Sequence, residues 1–93
     1  MPMNKNHNLK KTIEEFLLFL SVEKNLSVNT LKAYEKDLDR FYRFLLGRNI
    51  SFKQIKAKNL MEFAIFLKKK KLAGSTIARN ISSIRGMYKY LAG

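Results

Sequence analysis

Cysteine is missing from all 93 residues. Neither a disulfide framework nor a thiolate metal site can be built without it, and its absence fits a reducing compartment. Histidine occurs once, at His7, which rules out paired-histidine metal sites and leaves little basis for a histidine-centred triad. There is no glycine-rich phosphate loop. The longest apolar runs, Phe16 to Leu20 and Phe63 to Leu67, are five residues each, against the roughly 20 that a membrane span needs. The polar start of the chain is followed by too short an apolar run for a secretory signal. The expectation is one small cytoplasmic domain with no membrane partner and no cofactor or small-molecule substrate. Residues 1–10 are read as a flexible arm and residues 11–93 as the folded unit.

Acid is the other scarcity. Seven Asp and Glu face nineteen Lys and Arg, for a net charge of +12. Every acid lies between Glu14 and Glu62, and Phe63 to Gly93 carries seven bases and none. Such a field attracts polyanions, of which nucleic acid is the most abundant in a cytoplasm. Generic solubility charge is the plainer alternative. No acid–base pair is visible. Glu14 and Glu15 are neighbours on a helix and point apart. Tyr88 falls on an apolar seam and reads as core, and nothing in the sequence would activate Tyr90.

What is present is repeated. Glu15-Phe16-Leu17-Leu18-Phe19-Leu20 returns as Glu62-Phe63-Ala64-Ile65-Phe66-Leu67. Leu26-Ser27-Val28-Asn29-Thr30-Leu31 returns as Leu72-Ala73-Gly74-Ser75-Thr76-Ile77. Two amphipathic helices resemble each other by periodicity alone, but periodicity does not repeat a turn. The pattern predicts two helix hairpins packed on each other, an all-α fold.

The first helix is expected from Lys11 or Thr12 to about Lys24, opened by the capping-box pattern Thr12-x-x-Glu15. It buries Ile13, Phe16, Leu17 and Leu20. Leu18 and Phe19 fall off that stripe, as ordinary surface residues or as a contact for another protomer. The second helix is expected from Val28 or Asn29 to Leu46, capped by Ser27 or Asn29 and ended by Gly47. Leu31, Tyr34, Leu38, Phe41, Tyr42 and Leu45 face inward. Its reverse side carries Asn29, Lys32, Lys36, Arg40 and Arg43, with Glu35, Asp37 and Asp39 flanking. Lys32, Lys36 and Arg40 repel one another at four-residue spacing, by a few tenths of a kcal/mol per pair. That ladder becomes useful when an anionic ligand supplies the counter-charge. Phe52 and Ile55 plug the core from a short turn.

The third helix, about Lys58 to Lys71, buries Leu60, Phe63, Ala64 and Leu67 and ends in the lysine run 68–71. Those cations suit a helix C-terminus by themselves, or contact phosphate. The fourth helix, from Ser75 or Thr76 to near Leu91, has a seam of Ile77, Ile81, Ile84, Tyr88 and Leu91. Its opposite side is Ser75, Arg79, Ser82, Ser83 and Gly86. A face of small residues lets a helix sit close either to a neighbouring helix or to a DNA groove, which is wide enough for one helix. Both long helices begin with hydroxyls and amides, which suit phosphate oxygens. Lys32, Lys36 and Arg79 stand just inside to reach bases or further phosphates.

Two stretches carry a family resemblance. Leu26-Ser27-x-Asn29-Thr30-Leu31-x-Ala33-Tyr34-x-x-Asp37-Leu38-x-x-Phe41-x-x-Phe44-Leu45 resembles the second helix of the core-binding domain of tyrosine recombinases, the phage-integrase and Xer-type enzymes. Ser75-Thr76-Ile77-Ala78-Arg79-x-Ile81-Ser82-Ser83-Ile84-Arg85-x-Met87-Tyr88-x-Tyr90-Leu91 is similar to that domain's fourth helix. The likeness covers about residues 12–91. It implies a four-helix, SAM-like bundle of two crossing hairpins. It further implies a DNA-binding domain that grips a recombination half-site through the major groove with its second and fourth helices. The contacts would fall on Asn29, Thr30, Lys32, Lys36, Arg40, Ser75, Thr76, Arg79 and Ser83. Partners would be double-stranded DNA and other recombinase protomers, with Leu18 and Phe19 as the protomer contact. The family's catalytic residues belong to a second domain whose motifs are absent from these residues, so this chain is expected to bind and not to cut. A helical protein-interaction module is the competing reading, and RNA binding by the same basic face is a third.

Overall fold

The computed structural model describes residues 6–93. Among these residues are four α-helices, α1 (Leu9–Glu23), α2 (Val28–Arg48), α3 (Ala57–Lys69) and α4 (Gly74–Ala92), with a 3-10 turn at Phe52–Gln54 between α2 and α3. They form two hairpins, α1 with α2 and α3 with α4, and α2 packs against α4.

The internal repeat is structural. Phe16 and Leu20 of α1 and their counterparts Phe63 and Leu67 of α3 are all buried. Each hairpin then turns at a left-handed residue, Asn25 in the first and Lys71 in the second. Leu26 and Leu72 follow those residues and pack against the core. The amide of Leu72 reaches back to the carbonyl of Leu67, so the orphan carbonyls at the end of α3 are satisfied as the apolar residue swings inward. The same device ends α2, but at Asn49 (φ 55°), with Ile50 N–H donating to Leu45 O. Gly47, the expected stop, stays inside the helix, two residues short of the observed one. Asn tolerates the left-handed region better than most side chains, so glycine is not required there.

The start of α1 differs from the expectation. The helix begins at Leu9, before Thr12, and its N-cap residue Asn8 makes no side-chain cap bond. The anchor is Asn6, only 1% exposed. Its Nδ2 donates to the Ile50 carbonyl at 2.7 Å and its Oδ1 accepts the Phe52 amide at 2.7 Å. This pairing satisfies two backbone groups of the α2–α3 connection, each of which would cost about 1–3 kcal/mol if buried alone. Leu9 is fully buried in consequence. Residues 6–10 of the expected arm therefore belong to the folded unit; residues 1–5 lie outside the described residues.

Phe41 meets Phe63 edge-on at 5.6 Å and Phe44 meets it at 5.1 Å, beside Leu38, Leu45, Ile84 and Met87, all fully or almost fully buried. The buried face of α4 is rotated from the expected seam. Asn80, Ser83, Ile84 and Met87 are covered, and Leu91 is 47% exposed. Two polar residues point inward there: Asn80 Nδ2 donates to Thr76 O and Ser83 to Asp37, while Asn80 Oδ1 is buried without a partner among the described residues. Tyr88 is half-buried, donates its hydroxyl to the Phe52 carbonyl, and has its phenol pushed above the ordinary range by that burial. At the third helix, Asn59 closes the start that lacks a threonine-type cap, its Oδ1 accepting the Lys56 amide at 2.9 Å.

Candidate nucleic-acid interface

The exposed face of α2 is built by helical spacing. Asn29, Lys32, Lys36, Arg40 and Arg43 recur at intervals of three and four, so they share one side. Ser27 starts the helix as expected, accepting the Thr30 amide at 3.2 Å and donating to the Thr30 hydroxyl at 2.9 Å. Thr30 is thereby half-buried and committed to the cap, whereas Asn29, Lys32 and Lys36 stand in solvent. Arg43 is 78% exposed and pairs with Asp39 at 2.9 Å. Such a surface pair is worth at most about 1 kcal/mol and leaves the cation available to a polyanion.

Asp37 lies beside this face, on the inward side of the helix. Expected as a flanking surface acid, it is completely buried. Arg79 of α4 grips it in a bidentate fork, Nε to Oδ2 and Nη2 to Oδ1, both at 2.9 Å. Ser83 Oγ lies 3.0 Å from Oδ2, and Arg40 Nη1 lies 3.4 Å from Oδ1. The hydrogen bonds to Asp37 raise the Arg79 pKa above its ordinary value, against partial desolvation. A planar guanidinium matched to a carboxylate is the strongest ion-pair geometry available to side chains. It welds the second turn of α4 to the middle of α2.

Two expected DNA contacts change meaning. Ser83 is 1% exposed and cannot reach a ligand. Arg79 does not reach forward from its helix; its guanidinium is turned onto Asp37. The fork ties α4 to α2 at one point of the helix that carries the cationic stripe. Arg79 and Arg40 share the Asp37 carboxylate, and Lys32 stands five residues from Asp37, about 7.5 Å along the helix. Ser75 is exposed and Thr76 half-exposed in the first turn of α4.

The small-residue side of α4 divides. At Gly86 an added Cβ would lie 3.3 Å from Phe16 Cζ, so the glycine admits α1. Ser82 stays exposed. Phe19, expected as half of a protomer contact, is partly covered by Tyr90, with ring centroids 4.9 Å apart. Leu18 remains 65% exposed.

Sequence reasoning also missed a groove of about 420 Å³ that continues the α2 stripe toward α3, lined by Arg40, Arg43, Arg48 and Lys70 together with Phe44 and Phe66. Lys70 lies 4.8 Å over the Phe66 ring and Arg48 4.8 Å over the Phe44 ring. Each of these pairs follows four-residue helical spacing, but the groove joins residues 39–48 to residues 66–72, and that juxtaposition leaves no one-dimensional signal. Among the described residues no helix is long and apolar enough to cross a membrane. No group of three or more His, Asp or Glu among them could hold a metal ion.

The family described as phage integrase, N-terminal SAM-like domain, matches residues 13–93. The chain is 41% identical over 86 residues to tyrosine recombinase XerC of Herpetosiphon aurantiacus, covering 91% of this chain and 28% of that protein. It is 34% identical over 86 residues to tyrosine recombinase XerC of Roseiflexus castenholzii, covering 91% and 27%. Against tyrosine recombinase XerD of Oceanobacillus iheyensis the identity is 34% over 85 residues, covering 89% and 29%. The chain thus spans less than a third of the length of these relatives. No solved structure matches it. Four helices, the two shared motifs and these matches together place the chain in the phage-integrase N-terminal SAM-like domain family, as an N-terminal domain of the Xer-like tyrosine recombinase type.

Proposed function

We propose that this domain binds duplex DNA and serves site-specific recombination as the DNA-gripping part of a tyrosine recombinase. The observation that carries the reading is the Asp37–Arg79 fork, which joins the second turn of α4 to the middle of α2, the helix that bears the cationic stripe. In this reading Lys32, Lys36, Arg40 and Arg43 meet phosphates along one groove edge. Asn29, Ser75 and Thr76 reach the duplex from the starts of the two helices, whose positive dipole ends favour phosphate oxygens. Arg79 and Ser83 are the scaffold beneath. The chemistry of strand cleavage belongs to a part of such a protein outside these 93 residues, and the working assembly contains several protomers, placed where cellular DNA is.

The test is duplex binding followed by fluorescence anisotropy across a salt series. Affinity should fall with salt, with a log–log slope of about −0.9 for each phosphate contacted. The lone domain should bind in the range of about 10⁻⁴–10⁻⁶ M at physiological salt. No binding at low salt, or binding indifferent to salt, would sink the reading. A duplex RNA competitor that displaces DNA at equal concentration would redirect it to RNA.

Leu18 and Val22, 65% and 68% exposed on α1, favour a second reading as a protein-interaction module. Self-association that survives high salt and ignores DNA would support it.

A further inference from the structure

A buried carboxylate beside a cationic, DNA-binding stripe has the wrong sign. Asp37 stands one residue from Lys36 and three from Arg40, where a negative charge weakens attraction for phosphate. It also draws two arginines, Arg40 and Arg79, away from the solvent side and onto itself. Alone, a buried ion pair is weak evidence for a gain in stability, because desolvation offsets its attraction. Asp37 differs from a simple pair in drawing donors from both helices: Arg40 on α2, and Arg79 and Ser83 on α4. Its two oxygens therefore fix both the rotation and the axial position of α4 against α2.

We infer that Asp37 is a positioning residue for DNA binding. By holding Arg79 and Ser83 it sets the register between the first turn of α4 and the Lys32–Lys36–Arg40 ladder, so that both engage one duplex together. The inference rests on the DNA-binding reading and adds a role to a residue that cannot touch the ligand. Asp37 has the same shape as asparagine, but an amide cannot accept the full arginine fork.

The sign of the effect is diagnostic. Asp37→Asn raises the net charge by one from +12, so electrostatics alone makes duplex binding tighter. A positioning role makes it weaker, by about five-fold or more. The experiment measures duplex affinity for the parent and the variant in one buffer, with cooperative melting and amide dispersion confirming the fold. Weaker binding by folded Asp37→Asn supports the inference; equal or tighter binding overturns it and leaves Asp37 as a stability element only. If Asp37→Asn does not fold, Ser83→Ala decides. It removes one donor to Asp37, touches no charge, and puts alanine, a strong helix former, in place of a serine that is 1% exposed. A loss of about two-fold or more supports the inference, and parent-like affinity overturns it. A parent that binds no duplex at any salt overturns the functional reading and this inference together, whereas a binding parent with an indifferent variant overturns this inference alone.

Discussion

Arg79→Ala destabilises the domain by about 3 kcal/mol. Removing one partner of a buried ion pair costs about 3–5 kcal/mol because the other charge is left uncompensated. The lower end applies because the Arg79 side chain is 40% exposed and partly screened. What remains around the Asp37 carboxylate is the Ser83 hydroxyl and a long contact to Arg40. Asp37 is completely buried with Arg79 in place, so in the variant water must rehydrate the carboxylate through the gap the guanidinium leaves. Urea unfolding followed by circular dichroism measures the effect, as a lowered midpoint with an unchanged slope. An unfolding free energy within about 0.5 kcal/mol of the parent's, the usual range for surface substitutions, would show that Arg79 is an ordinary surface base.

Lys32→Ala combined with Lys36→Ala has the opposite profile. Both side chains are exposed, and removing them relieves a like-charge pair at four-residue spacing, so stability stays level or rises by a few tenths of a kcal/mol. Duplex binding should suffer. Two lost phosphate contacts lower the salt slope by about 1.8 and weaken affinity on the order of 50-fold near 0.1 M salt. Anisotropy titrations at several salt concentrations read both quantities. A slope equal to the parent's would mean that these lysines face solvent in the complex. The two variants together separate the scaffold from the surface it presents: one changes folding, the other changes binding.

Much of the architecture was legible because it is periodic. The repeated Phe and Leu of α1 and α3 and the repeated turn before α2 and α4 announced two hairpins, and both pairs of apolar residues are buried. Helix ends were less legible. Gly47 looked like the stop for α2, but the deciding element is Ile50, which must return to the core and so places the left-handed residue at Asn49. Thr12 looked like the first cap of α1, but Asn6 fastens the chain earlier through bonds to residues 50 and 52. No local pattern carries a contact across more than 40 residues.

The site shows the same division. Lys32, Lys36 and Ser75 are exposed as their helical spacing implies. Asp37, Arg79 and Ser83 were misassigned because each is polar, and a polar residue on a helix is read as surface unless its partner is known. The partners lie on a different helix, 42 and 46 residues away. A clue was present: Asp37 adjoins Leu38 and shares the inward side with Phe41 and Phe44, so its Cβ already points toward the core. The small residues of α4 split for a steric reason, since Phe16 of α1 occupies the space that Gly86 leaves open.

On the proposed function, one continuous surface, made by α2 and the first turn of α4, receives the duplex. Backbone amide shifts during titration with a short duplex at low salt test it most directly. The expected result is concerted perturbation of Asn29, Lys32, Lys36, Arg40, Ser75 and Thr76, fitting one binding constant, with the exposed Met61 and Ile65 of α3 unmoved. Perturbations centred on α1 or on the outer side of α3, or separate binding constants for α2 and α4, would contradict it.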